Sequence, residues 1–425
     1  PAAAPRVRRR HRLGRCRPAR LDDPPHLARR GRRRPDPGRD GLSLPLWDTA
    51  FGAVPGRLVT VPPGAGAADR WVAAVALGGQ GHYARAVTLL LGLLHDPAVP
   101  RVVAAHAAVT LASHRRQLGG HSAARRYDAL GLRLATGAAA VPGVPSVAAA
   151  RADALTGLAA DALGTGDLRG SHDLLARATA ACTVVDPAGA DRSAIRAGWV
   201  AAELALFSGD GPAASRAADA AAARAAGSRS SRHRVKSAIV AGVSRAAARP
   251  DAAPDVLLEL DALAAAALRL GLLPLHWPAS LAAADLADRP GVAAAAAVMA
   301  AEGAATARSW GDVLGLASGA EVACHPPDGR VRPPVRRPDT SVAATRSALP
   351  SAPRRRPSDV AECAGNANDR HVNRSSDAPN DTVSDTPRRR HAAAATLSVL
   401  YSRSDPIGRR LMGESAWVPG WHRVM

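Results

Sequence analysis

Aromatic side chains are nearly missing from this 425-residue chain: seven Trp, three Tyr and two Phe make up 3% of it. Sheets draw on aromatic and β-branched residues, so this scarcity argues against a sheet-built core. Lysine is scarcer still. Lys236 is the one lysine, and the remainder of the 56 basic residues are arginine. A surface selected for phosphate contact would use both types, so the bias reads as the composition of GC-rich coding DNA. Four cysteines (Cys16, Cys182, Cys324 and Cys363) lie scattered without metal-ligand spacing. That excludes a disulfide framework and leaves a reducing cytoplasm as the expected compartment. Long apolar runs are lacking too. The stretch Ala86 to Leu94 has nine residues, where a membrane-spanning helix needs ~20. The Arg-rich start runs into Pro, Asp and more Arg, so it does not read as a secretory signal.

Alanine is what the chain has in abundance, within a hydrophobic fraction of 47%. A core of small side chains suits close helix-on-helix packing. The net charge of +20 is uneven. Residues 1–40 carry 14 Arg against 4 Asp, and residues 325–425 carry 17 Arg against 10 acids, while 41–324 is close to balanced. The flanks 1–46 and 325–390 are dense in Arg and Pro, show no apolar periodicity, and read as disordered. Their Arg triplets at 8–10, 32–34, 354–356 and 388–390 could serve nucleic acid. Interleaved prolines and scattered acids make a poor groove-following strip, and solvated low complexity is the simpler account. The expected organisation is a basic arm over 1–46, a linker over 47–66, a helical domain over 67–320, a second linker over 325–390 and a short helical segment over 391–425.

Between about Ala67 and Gly319, apolar residues recur at helical spacing and glycine or proline punctuates the pattern. Helices are predicted over Asp69–Gln80, Tyr83–His95, Arg101–Leu118, His121–Ala135, Val147–Leu163, Leu168–Cys182, Arg192–Phe207 and Ala213–Ala226. The pairs meet at Gly81, Gly119, Gly166 and Gly209. Five residues beyond each glycine stand Ala86, Ala124, Ser171 and Ala214, all small, where a second helix must approach the first closely. Trp71 and Trp199 each precede their turn glycine by ten residues. Further helices are expected over Ser231–Arg249, Asp255–Leu270, Ala279–Ala287 and Val292–Ser309, with Pro250, Pro274, Pro278 and Pro290 as breaks. Near the end, Ala392–Tyr401 and a capped start at Ser404-Asp405-Pro406 predict two more. The fold class is therefore all-α, an array of helical hairpins.

The turn Gly81-His82-Tyr83-Ala84-Arg85-Ala86, with Leu77, Leu90 and Pro97 around it, resembles that of a tetratricopeptide repeat. Residues 67–226 carry the resemblance, although later units lack the aromatic and exceed the usual 34-residue length. The whole also resembles uncharacterised helical-repeat proteins of high-GC bacteria. The resemblance implies a superhelix that binds protein.

Leu58-Val59-Thr60-Val61 before Pro62-Pro63-Gly64-Ala65-Gly66 imitates a dinucleotide-binding turn. An acid, Asp69, occupies its third glycine position and no parallel strands follow, so it reads as a linker. The histidines, among them His106, His114, His172 and His276, show no ligand or triad spacing and are expected at the surface or at helix caps. Trp277 reads as a core plug. The basic stretch 224–249 is the candidate partner-binding site, through Arg224, Arg229, Arg234, Lys236, Arg245 and Arg249. Arg115, Arg116, Arg125, Arg126 and Arg133 form a smaller group of the same kind. In both, a solvated face is the plainer reading. The functional expectation is a non-catalytic scaffold binding a peptide or helix of a partner protein, with no cofactor, metal or membrane involved. The alternative is a nucleic-acid-associated regulator using the Arg-rich arms and the 224–249 helix.

Overall fold

The computed structural model describes residues 44–185, 187–303, 386–415 and 418, and no strand occurs among them. The chain is all-helical. Its helices are α1 (Leu44–Phe51), α2 (Ala67–Gly79), α3 (Tyr83–His95), α4 (Arg101–Gln117), α5 (His121–Ala135), α6 (Val147–Gly164), α7 (Leu168–Cys182) and α8 (Pro187–Phe207). They continue with α9 (Gly211–Ala226), α10 (Ser231–Ala248), α11 (Ala253–Arg269), α12 (Leu273–Ala287), α13 (Val292–Gly303), α14 (Thr386–Ser402) and α15 (Pro406–Glu414). No helix among the described residues is long and apolar enough to cross a membrane.

The turns explain why the chain doubles back so regularly. Gly81, Gly119, Gly166, Gly209 and Gly271 all take a left-handed φ between +67° and +83°, a conformation costly to any residue with a Cβ. At each of these turns the following residue donates its N–H five residues back: His82 to Leu77, Gly120 to Arg115, Asp167 to Ala162, Asp210 to Ala205, Leu272 to Ala267, at 2.8–2.9 Å. This Schellman closure satisfies a carbonyl that the helix end leaves open. Asp167 and Asp210 then cap the next helix through Gly170 N and Ala213 N. Ala86, Ala124, Ser171 and Ala214 are fully buried, so the second helix of each pair lies as close to the first as their small size allows.

Each hairpin packs on its neighbours, and α2, α4, α6, α8, α10 and α12 each also touch the next of their set. One contact recurs along this set. Trp71 on α2 donates Nε1–H to Thr110 Oγ1 on α4 at 3.0 Å and lies 4.9 Å from the His106 ring. Trp199 on α8 donates to Ser237 Oγ on α10 at 2.8 Å and stacks on His233 at 5.5 Å. Members far apart along the set are also tied together. Gln80 Nε2 donates to Pro55 O and Arg57 O, and Ser231 N donates to Gly52 O at 3.1 Å, joining α2 to α10 through residues 52–57.

Several expectations are corrected here. Most of the two flanks, and residues 304–324, lie outside the described residues, but α1 begins within the predicted arm and crosses into the predicted linker. Phe51 fixes it against Trp71, with ring centroids 5.8 Å apart, and Trp47 packs on Phe51 at 4.8 Å; two turns of helix are too short to display a period. α14 begins at Thr386, inside the predicted second linker. Its Arg389, read as solvated, is buried against Asp261, and Arg390 reaches Asp288 at 2.6 Å. Pro274 and Pro278 do not break a helix: Pro274 sits in the first turn of α12, where no backbone donor is lost, and Pro278 lies inside the same helix, which continues past it to Ala287. Four histidines are not superficial: His106, His114, His233 and His276 are buried, whereas His172 is exposed as expected. Burial holds His106 at about 4 and His114 at about 3, so both pack as neutral rings.

The C-terminal pair returns to the front of the chain. α14 packs on α12, and Leu397, Leu400 and Met412 share a core with Tyr83, Leu118 and the partly buried Trp277. Ala84 N donates to Arg403 O at 2.8 Å. Arg115 on α4, almost fully buried, makes a two-pronged pair with Asp405 at 2.5 and 2.9 Å. In the sequence Arg115 looks like its solvated neighbours, and Asp405, nearly three hundred residues away, is what brings it inside.

Candidate functional site

The faces that α2, α4, α6, α8, α10 and α12 turn toward one another line a partly open cavity of about 370 Å³. Its lining includes the apolar side chains of Val200, Ile239, Leu275, Trp277 and Pro278. It also carries Arg116, Arg196, Arg232 and Lys236, and Glu203 is the one acid on it among the described residues.

The four cations are held differently. Arg116 is bound to Asp161 (Nε–Oδ1 2.7 Å) and to Asp128, both fully buried. Burial opposes its charge, but the two carboxylates outweigh that and raise its pKa above the arginine range. Burial, reinforced by each other's charge, pushes Asp128 well above the usual carboxylate value. Lys236 Nζ sits 3.7 Å from Glu203 and 4.9 Å from the Trp199 ring centroid, an ion pair with a cation–π contact added. Arg196 shares one acid, Asp153, with Arg192: Arg192 Nη2 is 2.6 Å and Arg196 Nε 3.3 Å from it. Burial first, then Arg192 and Arg116, lower the pKa of Arg196 despite that acid.

Arg232 makes no ion pair or hydrogen bond among the described residues. It lies over Gly79 and lines both the large cavity and a small one of about 30 Å³ behind it, as Arg196 does. Burial, then the charge of Arg196, drops its pKa to about 10. Two partly buried guanidinium groups thus share the lining of one cavity, the charge of Arg196 acting against that of Arg232.

The six candidate residues from the sequence do not come together. Arg224 lies 3.9 Å from Asp191 and Arg229 is 84% exposed beside Asp48. Arg234 turns back to Ser228 O and Ser231 Oγ, Arg245 pairs with Glu259, and Arg249 ends α10 at the surface. Of the six, Lys236 alone lines the cavity. Its neighbours there, Arg116, Arg196 and Arg232, come from α4, α8 and α10. The signal that could have found them is in α6, where Asp153 and Asp161 interrupt an otherwise alanine- and leucine-rich helix. Buried acids need cations. Among the described residues no three His, Cys, Asp or Glu side chains are close enough to hold a metal ion. The segment 58–66 forms no strand and leads into α2.

No family model matches the chain, and no curated protein or solved structure matches it.

Proposed function

We propose that α2–α13 form an α-solenoid of tetratricopeptide-like hairpins and act in the cytoplasm as a non-catalytic scaffold that binds a helix of a partner protein. Support for the solenoid comes from the shared Schellman turns, the buried small residue after each, and the recurrent Trp–His–hydroxyl contact. The observation that carries the binding function is the seating of α14. This helix is joined to α13 only through residues 304–385, yet packs along α12 and reaches the α2–α3 turn. A surface that accepts a helix from its own chain, through Ala393, Leu397 and Leu400, has the shape and apolar content to accept one from another.

The test is a chain with a protease site introduced between residues 304 and 385. After cleavage the C-terminal piece should remain bound through size exclusion, and a partner helix should compete with it. Immediate release of that piece, with the remainder still folded, would remove the support for helix binding.

A further inference from the structure

We infer that the cavity binds a small amphipathic anion, an apolar or aromatic body bearing one carboxylate or phosphate, with its head held by Arg196 and Arg232. This ligand is separate from the partner helix proposed above, because about 370 Å³ is the size of a small-molecule pocket and cannot enclose a helix.

The head-group assignment rests on the accounting of charge. Arg116 has two buried acids of its own, Lys236 has Glu203, and Asp153 is divided between Arg192 and Arg196. Nothing among the described residues neutralises Arg232. A partly buried guanidinium with no acid beside it is left to solvent alone, and an anion that reaches it supplies the missing partner. Arg196 and Arg232 both front the large cavity and the small one behind it, so an anion between them meets two guanidinium groups. The planar fork of arginine fits the oxygens of a carboxylate or phosphate. The depressed pKa values of both side chains, set by burial and then by neighbouring arginines, describe the same unfilled demand.

The body of the ligand follows from the apolar part of the lining. Ile239, Leu275, Trp277 and Pro278 offer no charge and no carboxylate. A fully polar anion such as inorganic phosphate would leave those side chains against water, whereas an apolar body would cover them.

The probes are 2-naphthoate, 2-naphthyl phosphate and neutral 2-naphthol, titrated calorimetrically into the full chain, with thermal melts alongside. At least one anion should bind at a 1:1 ratio and raise the melting temperature, and naphthol should bind at least tenfold more weakly. Arg232→Met should lower anion affinity tenfold or more while the unliganded protein melts no lower, since no ion pair is lost. Arg232→Gln provides the same comparison should the Met variant not fold. Arg229→Met, at an exposed position, should change nothing. The inference is overturned by naphthol binding as tightly as the anions, by unchanged affinity in the Arg232 variants, or by no binding of either anion at millimolar concentration.

Discussion

Replacing Asp405 by alanine probes how the C-terminal helices are held. The carboxylate has two functions: it pairs with buried Arg115 through both oxygens, and its Oδ1 accepts from Gly408 N at 3.3 Å, capping α15. Removing one partner of a buried ion pair costs about 3–5 kcal/mol, because the other charge is left without compensation. Loss of a helix cap adds about 1 kcal/mol. The protein has one escape. If α14 and α15 undock, Arg115 regains water, and the loss is capped at their docking free energy. Asp405→Ala should therefore either lower the melting temperature by roughly 5–10 °C or abolish hydrogen-exchange protection across 386–415 while 67–300 stays protected. Arg115→Met combined with Asp405→Ala should recover most of the loss, since no unpaired charge remains. The same pair predicts a pH dependence. Burial would raise the Asp405 pKa, but the hydrogen bonds and charge of Arg115 outweigh it and hold it below the usual value. Its stabilisation is thus complete above the unfolded aspartate pKa of about 3.9 and is lost as pH falls through the lower folded value. Unchanged melting and exchange in Asp405→Ala would refute this account of the docking.

Ala86→Trp and Ala214→Trp, at fully buried contacts between paired helices, should each cost about 1–3 kcal/mol or more from overpacking, while half-buried Ala67→Trp should cost much less; thermal melts compare the three. Gly166→Ala meets no neighbour at a φ of +82° and should show only the conformational penalty of about 1–2 kcal/mol. Gly81→Ala, whose new methyl runs into Leu400, should lose the same amount and also loosen α14 in hydrogen exchange. Because His106 and His114 are neutral when folded, with values of about 4 and 3, the unfolded chain takes up their protons first. Stability should fall as pH drops below the unfolded histidine value of about 6.5, by up to about 1.4 kcal/mol per pH unit for each. Urea unfolding at pH 7 and pH 5 measures this, and His114→Leu should make the slope shallower.

Local chemistry decided which parts of the fold were legible in advance. The turn at Gly81 or Gly166 needs only a glycine and the apolar residues on either side of it, so the hairpins and their small contact residues could be read along the chain. The short α1 and the start of α14 were not legible, because each is stabilised by distant partners, Trp71 in one case and Asp261 in the other.

By itself the sequence determined an all-helical middle, its hairpin turns and the close contacts at Ala86, Ala124, Ser171 and Ala214, since helix periodicity and left-handed glycine are properties of neighbouring residues. Tertiary structure alone decided the charges. Arginine at 115, 116, 196 and 232 looks the same in the sequence, yet one meets Asp405, one meets two buried acids, one shares Asp153 and one meets none. Coulomb interaction and desolvation depend on distance in space and on what lies between, and neither is written in the order of residues.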